Sequence, residues 1–183
     1  MGNLDGKIAL VTGASAGIGE QTTRILVDAG TRVICAARRL PRLESLVAEL
    51  GDTAIALELD VTNEASVATL LERLPAGWRD IDILVNNAGL AGVKALTEDG
   101  FEIAFGVNHL GHFLFTLMIF ERLLEPETAR IVNVASRAHY RVDGLDFSKV
   151  RTIAESTTGM TSYAYSKLAN VLFTSELAER LEG

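Results

Sequence analysis

The ten residues Leu10-Val11-Thr12-Gly13-Ala14-Ser15-Ala16-Gly17-Ile18-Gly19 restrict the fold of this chain more than any other stretch. The apolar run from Lys7 to Val11 reads as a buried parallel strand. It breaks into a loop with glycines at 13, 17 and 19, and a helical pattern begins at Ile18. A strand, a glycine loop and a helix in that order let backbone N–H groups approach a pyrophosphate, where the helix dipole favours negative charge. The spacing is Gly-x-x-x-Gly-x-Gly and not the commoner Gly-x-Gly-x-x-Gly, so the general nucleotide fingerprint is half matched. Taken alone, the loop is either a phosphate cradle or plain turn punctuation.

With 183 residues the chain is sized for one domain, 1–183, with a substantial core. Hydrophobic residues make up 48% and charged residues 22%, a globular balance. A net charge of −7 argues against a general attraction to nucleic acid or to an anionic membrane. The longest apolar candidate, Phe113 to Phe120, runs into Glu121 and Arg122 and is too short for a membrane span. The first six residues lack the basic-then-apolar order of a signal peptide. Cys35 is the only cysteine, so no disulfide forms within the chain, and its apolar setting reads as core. A reducing, cytoplasmic location is the expectation.

Strand and helix patterns alternate without a linker. Strands are expected at Ile8–Thr12, Arg32–Ala36, Ala54–Leu59, Ile81–Val85 and Arg130–Ala135. Helices are expected near Ile18–Ala29, Pro41–Leu50, Glu64–Leu74, Glu98–Leu124 and Ser162–Leu181. Strands this apolar need cover on both faces, and right-handed crossovers then give an α/β doubly wound parallel sheet. Ligands of such sheets bind at the carboxyl ends of the strands. Pro41 suits a first helical turn, and Thr62 or Asn63 can cap the next helix. The one long irregular stretch, Arg137 to Thr161, has the length of a functional loop.

Several strand ends carry chemistry. The second strand closes on Ala37-Arg38-Arg39. An acidic residue there would bind a ribose 2′-hydroxyl, whereas an arginine accommodates a 2′-phosphate. With Arg42, the two arginines make a cationic cluster on an acidic chain, so Arg38 points to NADP(H) in preference to NAD(H); the plainer reading is a solvated helix start. Asp60, before Val61, can accept from an adenine amino group or help start a helix. Asn86-Asn87-Ala88-Gly89 combines small residues for close approach with amides that can tie loops together, or is an ordinary turn.

Tyr163 and Lys167 lie four apart on a helical pattern and so share a face. An ammonium beside a phenol favours the phenolate, and such a pair can exchange a proton with a carbonyl oxygen. Ser136, at the end of the fifth strand, can hydrogen-bond the same oxygen. Tyr165 falls on the wrong face. His109 and His112 have metal-like spacing but no accompanying carboxylate or thiol cluster, and read as packing histidines. No metal is expected.

Thr12-Gly13…Gly17-Ile18-Gly19, Asp60-Val61, Asn86-Asn87-Ala88-Gly89, Asn108, Ser136 and Tyr163…Lys167, in this order, resemble the short-chain dehydrogenase/reductase family. The strings Val107-Asn108-His109-Leu110-Gly111-His112-Phe113 and Tyr165-Ser166-Lys167-Leu168-Ala169-Asn170-Val171-Leu172-Phe173 are similar to its retinol-dehydrogenase-like branch. The resemblance implies a Rossmann fold with Gly13, Ser15, Gly17, Ile18, Gly19, Arg38, Asp60, Val61, Asn87, Ala88, Gly89, Tyr163 and Lys167 at the dinucleotide. It implies Tyr163 as general acid/base, Lys167 lowering its pKa and holding the nicotinamide ribose, and Ser136 orienting the substrate carbonyl. Asn108 would support a water-linked proton relay.

Members of the family continue beyond the last helix with further strands, which are missing from this sequence. The Arg130–Ala135 strand is therefore expected as an apolar edge. The expected function is NADP(H)-dependent interconversion of an alcohol and a ketone or aldehyde, on a small lipophilic substrate. A cofactor-binding or interaction domain without turnover is the alternative. Family pairing through the fourth and fifth long helices implies a homodimer or homotetramer.

Overall fold

The computed structural model of the chain describes residues 4–126, 128–153 and 158–182. Five strands form one sheet: β1 (Ile8–Thr12), β2 (Arg32–Ala37), β3 (Ala54–Glu58), β4 (Ile83–Asn86) and β5 (Arg130–Asn133). Their spatial order is β3-β2-β1-β4-β5. β1 pairs in parallel with β2 and with β4, Val11 lying opposite both Cys35 and Val85, and β2 pairs in parallel with β3. The order reverses between β1 and β4, which is where a doubly wound sheet opens a crevice for ligands. All five residues of β1 are buried, as a strand covered on both faces requires.

The helices are α1 (Gly17–Asp28), α2 (Leu40–Leu50), α3 (Glu64–Ala68), α4 (Leu70–Arg73), α5 (Ile103–Phe105), α6 (Gly111–Met118), α7 (Phe120–Leu124) and α8 (Met160–Glu182). Pro41 sits in the first turn of α2, where its fixed φ and missing N–H cost nothing. Asn63 caps α3 by accepting the Ser66 N–H at 2.9 Å. The expected Glu64–Leu74 helix is two pieces, because Thr69 leaves helical geometry and donates its hydroxyl back to Ala65 O at 3.0 Å.

The expected Glu98–Leu124 helix differs more. Residues 97–102 form a tight turn closed by Thr97 N–H to Phe101 O at 2.7 Å, with Gly100 at φ +76. Only after it does Glu102 cap α5 by accepting the Phe105 N–H at 3.0 Å. Gly106–Leu110 then winds as a π-helix before α6. β5 also stops two residues short of the expected Ala135; the carbonyl of Val134 receives the Lys167 ammonium at 2.8 Å. Within Arg137–Thr161, residues Arg137–Arg141 form a 3₁₀ turn, and 154–157 lie outside the described residues.

The residues gather into two compact units. One comprises the chain through Ala88 with Phe115–Val132, the other Gly89–Leu114 with the chain from Asn133. The core of the first is built from Leu10, Ile34, Leu70, Leu84 and Phe115, all buried completely. That of the second packs Phe105, Val150 and Ala169 against Phe101, Leu110 and Leu145. Cys35 is buried, and burial pushes its thiol up to about 11, so it behaves as a small apolar residue. Among the described residues no helix is long and apolar enough to cross a membrane.

Candidate functional site

The first unit holds the glycine loop. Gly13 adopts φ +69, and a Cβ there would stand 2.8 Å from the Ala88 Cα. At Gly19 a Cβ would meet Gly13 O at 2.4 Å. Both positions are glycine because backbone crosses backbone there. Gly17 is different: it has φ +59, and the position of its missing Cβ has no described atom within 4 Å. Ala16, the residue that would cap α1, carries only a methyl, so no side chain of its own covers the first N–H groups of the helix. Ile18 beside them is two-thirds exposed. This open helix start fits a phosphate group.

Thr12 and Asn87 bind the loop to the end of β4. Thr12 Oγ1 accepts the N–H groups of Asn87 and Ala88 at 2.9 and 3.0 Å, and Asn87 Nδ2 donates to Thr12 O at 2.8 Å. Asn86 Nδ2 donates to Thr116 Oγ1 at 2.8 Å. The asparagines thus tie loops together, as their sequence position suggests.

At the end of β2, Ala37 is buried and the arginines part company. The Arg39 guanidinium donates from Nε and Nη2 to Ser15 Oγ, at 3.2 and 2.8 Å, and so rests on the glycine loop. Arg38 instead lines an open cleft of about 400 Å³ with Glu58, Asp60, Asn63, Ser66 and Arg73. Asp60 Oδ1 accepts from the Thr62 N–H and hydroxyl at 3.0 and 2.7 Å, which holds the turn into α3. Val61 is buried in the core.

The second unit holds Gly89, Asn108, Ser136, Tyr163 and Lys167. Ser136 Oγ accepts the Ala138 N–H at 3.2 Å, which leaves its hydroxyl hydrogen free to donate elsewhere. Tyr163 and Lys167 stand one turn apart on α8, with the Lys167 Nζ 5.7 Å from the centre of the Tyr163 ring. Lys167 is only 4% exposed, and burial lowers its pKa to about 8. It therefore carries its charge near neutrality and loses it as pH rises through about 8. Tyr165 faces elsewhere, with the Lys149 ammonium 5.9 Å from its ring centre.

Asn108 is fully buried. Its Oδ1 accepts the Leu90 N–H at 2.8 Å, and its Nδ2 donates to Leu90 O and Ser166 Oγ at 2.9 and 3.0 Å. His109 packs among Phe105, Phe113 and Phe173, with ring centres 5.1 to 6.3 Å away. His112 is buried, and burial holds its imidazole down at about 4.

A family profile described as short chain dehydrogenase matches residues 7–146. The chain belongs to the short-chain dehydrogenase family. It is 40% identical to human retinol dehydrogenase 12 over 98% of its own length and 58% of that protein's. It therefore spans a little over half the length of this relative. A solved structure of a serine dehydrogenase in its closed form complexed with NADP+ superposes with a TM-score of 0.78 at 33% identity, covering 96% of this chain and 67% of that one. A short-chain dehydrogenase/reductase from Burkholderia phymatum in complex with NAD superposes at 0.80 with 28% identity, over 100% of this chain and 63% of that one. The family's parallel sheet is thus the fold of this chain.

Sequence reasoning singled out most of these short-chain dehydrogenase motif positions but missed three contacts. In sequence Arg39 groups with Arg38, and nothing there assigns it to the loop. Thr12 reads in sequence only as part of the motif, although a hydroxyl before Gly13 is suited to anchor a neighbouring loop. Asn170 stands in the Tyr165–Phe173 string with no role of its own; its place seven residues after Tyr163, on the same helical face, is the available signal.

Proposed function

We propose that this chain binds a nicotinamide dinucleotide, NADP(H) in preference to NAD(H), and interconverts a lipophilic alcohol and its ketone or aldehyde. The observation that carries the reading is the buried Lys167 ammonium one turn from Tyr163 on α8. A lysine is placed at 4% exposure, at the cost of desolvation, where its charge has work to do.

Gly13, Ser15, Gly17, Ile18 and Gly19 would hold the dinucleotide phosphates over the start of α1, with Asn87, Ala88 and Gly89 lining the approach. Asp60 and Val61 would meet the adenine. Arg38 and Arg39 would receive a 2′-phosphate, for which Ala37 supplies no repelling carboxylate. When bound, the nicotinamide ring supplies the hydride chemistry.

The chain's own residues handle the proton. Tyr163 gives its hydroxyl proton to the carbonyl oxygen on reduction and takes it back from the alcohol on oxidation. Ser136 donates to the same oxygen and fixes its direction. Lys167 holds the nicotinamide ribose and favours the ionised form of its neighbour's hydroxyl. The lipophilic substrate class is taken from the likeness to the retinol dehydrogenases.

Tyr163→Phe keeps the ring and removes the transferable proton. Turnover, followed by nicotinamide absorbance with a long-chain primary alcohol, is expected to fall about a hundredfold or more. Dinucleotide affinity should stay within about twofold, since no new interaction is removed from the phosphates. Tyr165→Phe should change little. Equal losses in the two variants would sink the assignment. Tight dinucleotide binding without turnover in the unaltered chain would favour a binding domain.

A further inference from the structure

The π-helix at Gly106–Leu110 is a rare winding that tends to occur at functional sites. At its centre, Asn108 offers its main-chain carbonyl toward α8. That oxygen accepts from Asn170 Nδ2 at 3.0 Å and lies 3.1 Å from His112 Nδ1. A carbonyl only accepts, so Nδ1 is the protonated nitrogen of His112. Both lone pairs of the carbonyl are then engaged. Asn170 is itself 3% exposed. Its Oδ1 faces His109 Nδ1 at 3.1 Å, and its main-chain oxygen accepts the Thr174 hydroxyl at 2.7 Å.

We infer that Asn170 is a positioning residue for the Tyr163–Lys167 pair, because its carboxamide fastens α8 to the carbonyl of Asn108. The inference rests on the function proposed above. Three bonds tie the π-helix to α8: Asn170 Nδ2 to Asn108 O, Asn108 Nδ2 to Ser166 Oγ, and the pair His109 Nδ1 and Asn170 Oδ1. The Ser166 hydroxyl in turn donates to Tyr163 O at 2.7 Å. Asn170, Lys167, Ser166 and Tyr163 lie within about two turns of one helix. A slip or rotation of α8 breaks these ties and carries the phenol and the ammonium away together. It also draws Lys167 Nζ from Val134 O, where it now sits at 2.8 Å. His109 holds the other end of the carboxamide, but its ring is kept by three phenylalanines, so it serves packing.

Asn170→Leu, Asn170→Ser and His109→Leu, each in the full chain, separate positioning from packing. Three quantities are compared: kcat and KM for a long-chain primary alcohol, the dinucleotide dissociation constant, and the titration of Lys167. The last is read by carbon NMR of labelled lysine, which is tractable because the chain has only Lys7, Lys94, Lys149 and Lys167. Both Asn170 variants are expected to lose about ten- to a hundredfold in kcat, with KM within about twofold and dinucleotide affinity falling by less than kcat, through the ribose contact of Lys167 alone. The Lys167 titration should move from about 8 toward the ordinary lysine value as water reaches the ammonium. His109→Leu should lower Tm while leaving kcat and the titration in place.

The small serine keeps the test open if leucine prevents folding. The inference is overturned if the Asn170 variants lose Tm alone, or if His109→Leu loses as much kcat as they do. If the unaltered chain turns over no alcohol, the proposed function fails, and the Lys167 titration alone then decides whether Asn170 positions it.

Discussion

Arg38 and Arg39 are neighbours in sequence with different surroundings, one on the open cleft beside Asp60 and the other on Ser15 of the glycine loop. Charge alone made them equivalent; the direction of each side chain does not. A 2′-phosphate accepts from planar guanidinium groups, and a carboxylate in the same place repels it. Arg38→Asp is therefore expected to reverse the preference from NADP(H) to NAD(H). Arg39→Ala should weaken NADP(H) about tenfold, an effect of order 1.4 kcal/mol for one charge-assisted contact. It should also loosen the loop, because Ser15 Oγ loses both of its guanidinium donors. Fluorescence titration with both dinucleotides checks this. Tighter NAD(H) binding by the unaltered chain would refute the cofactor preference.

At the scale of elements, α1 depends on contacts that leave no room for a side chain. A Cβ at Gly19 would press on Gly13 O at 2.4 Å and Asn87 Nδ2 at 2.5 Å, and the first of these is backbone that cannot swing aside. Gly19→Ala is expected to force α1 off the loop, costing about 1–3 kcal/mol by overpacking and most of the dinucleotide affinity. Gly51→Ala makes a useful comparison. Gly51 has φ +69 but no described atom near its Cβ position, so that variant should lose stability through backbone strain and keep dinucleotide affinity. Urea denaturation and dinucleotide titration of the two variants distinguish them. The same scale explains why the long fourth helix begins late. Asp99-Gly100 makes a turn that a helical periodicity count passes over, since Leu96, Phe101 and Phe105 keep apolar spacing through it.

For the whole molecule, two consequences follow from what is buried and what is not. His112 has its imidazole held at about 4 by burial, against 6.5 in an unfolded chain. The unfolded chain binds the proton first as pH falls, so the neutral histidine's contribution is complete above about 6.5 and is lost on the way down to about 4. Its loss is worth on the order of 3 kcal/mol. Unfolding free energy measured along that interval should fall less steeply in His112→Phe than in the unaltered chain; identical slopes would dismiss the assignment. On the surface, Phe113, Leu114, Leu117, Met118 and Leu172 are all exposed by more than a third. Phe105, on the same apolar run of sequence, is instead core. Apolar helix positions of this kind seek a partner, and a homodimer or larger assembly is expected. A monodisperse monomer in light scattering across micromolar concentrations would exclude it.

The sequence by itself determined the sheet and the loop. β1 matches its expected bounds, the other strands and most helices fall within two or three residues of theirs, and Gly13 and Gly19 stand where backbone approaches backbone. These properties are local: an apolar run covered on both faces and a residue without Cβ are legible wherever they stand. What the tertiary structure alone decided depends on partners far along the chain. Ser15 meets Arg39 across 24 positions, and Asn108 meets Ser166 and Asn170 across 58 and 62. No periodicity records such pairs. Asn170 reads in sequence as one polar residue on a long helix, and only when α8 lies beside the π-helix does its amide find the single carbonyl it holds. The end of β5 has the same origin: the ladder stops where a buried lysine, arriving from 33 residues away, takes the next carbonyl. A buried ammonium must be hydrogen-bonded, and that requirement outweighed the strand propensity of Val134.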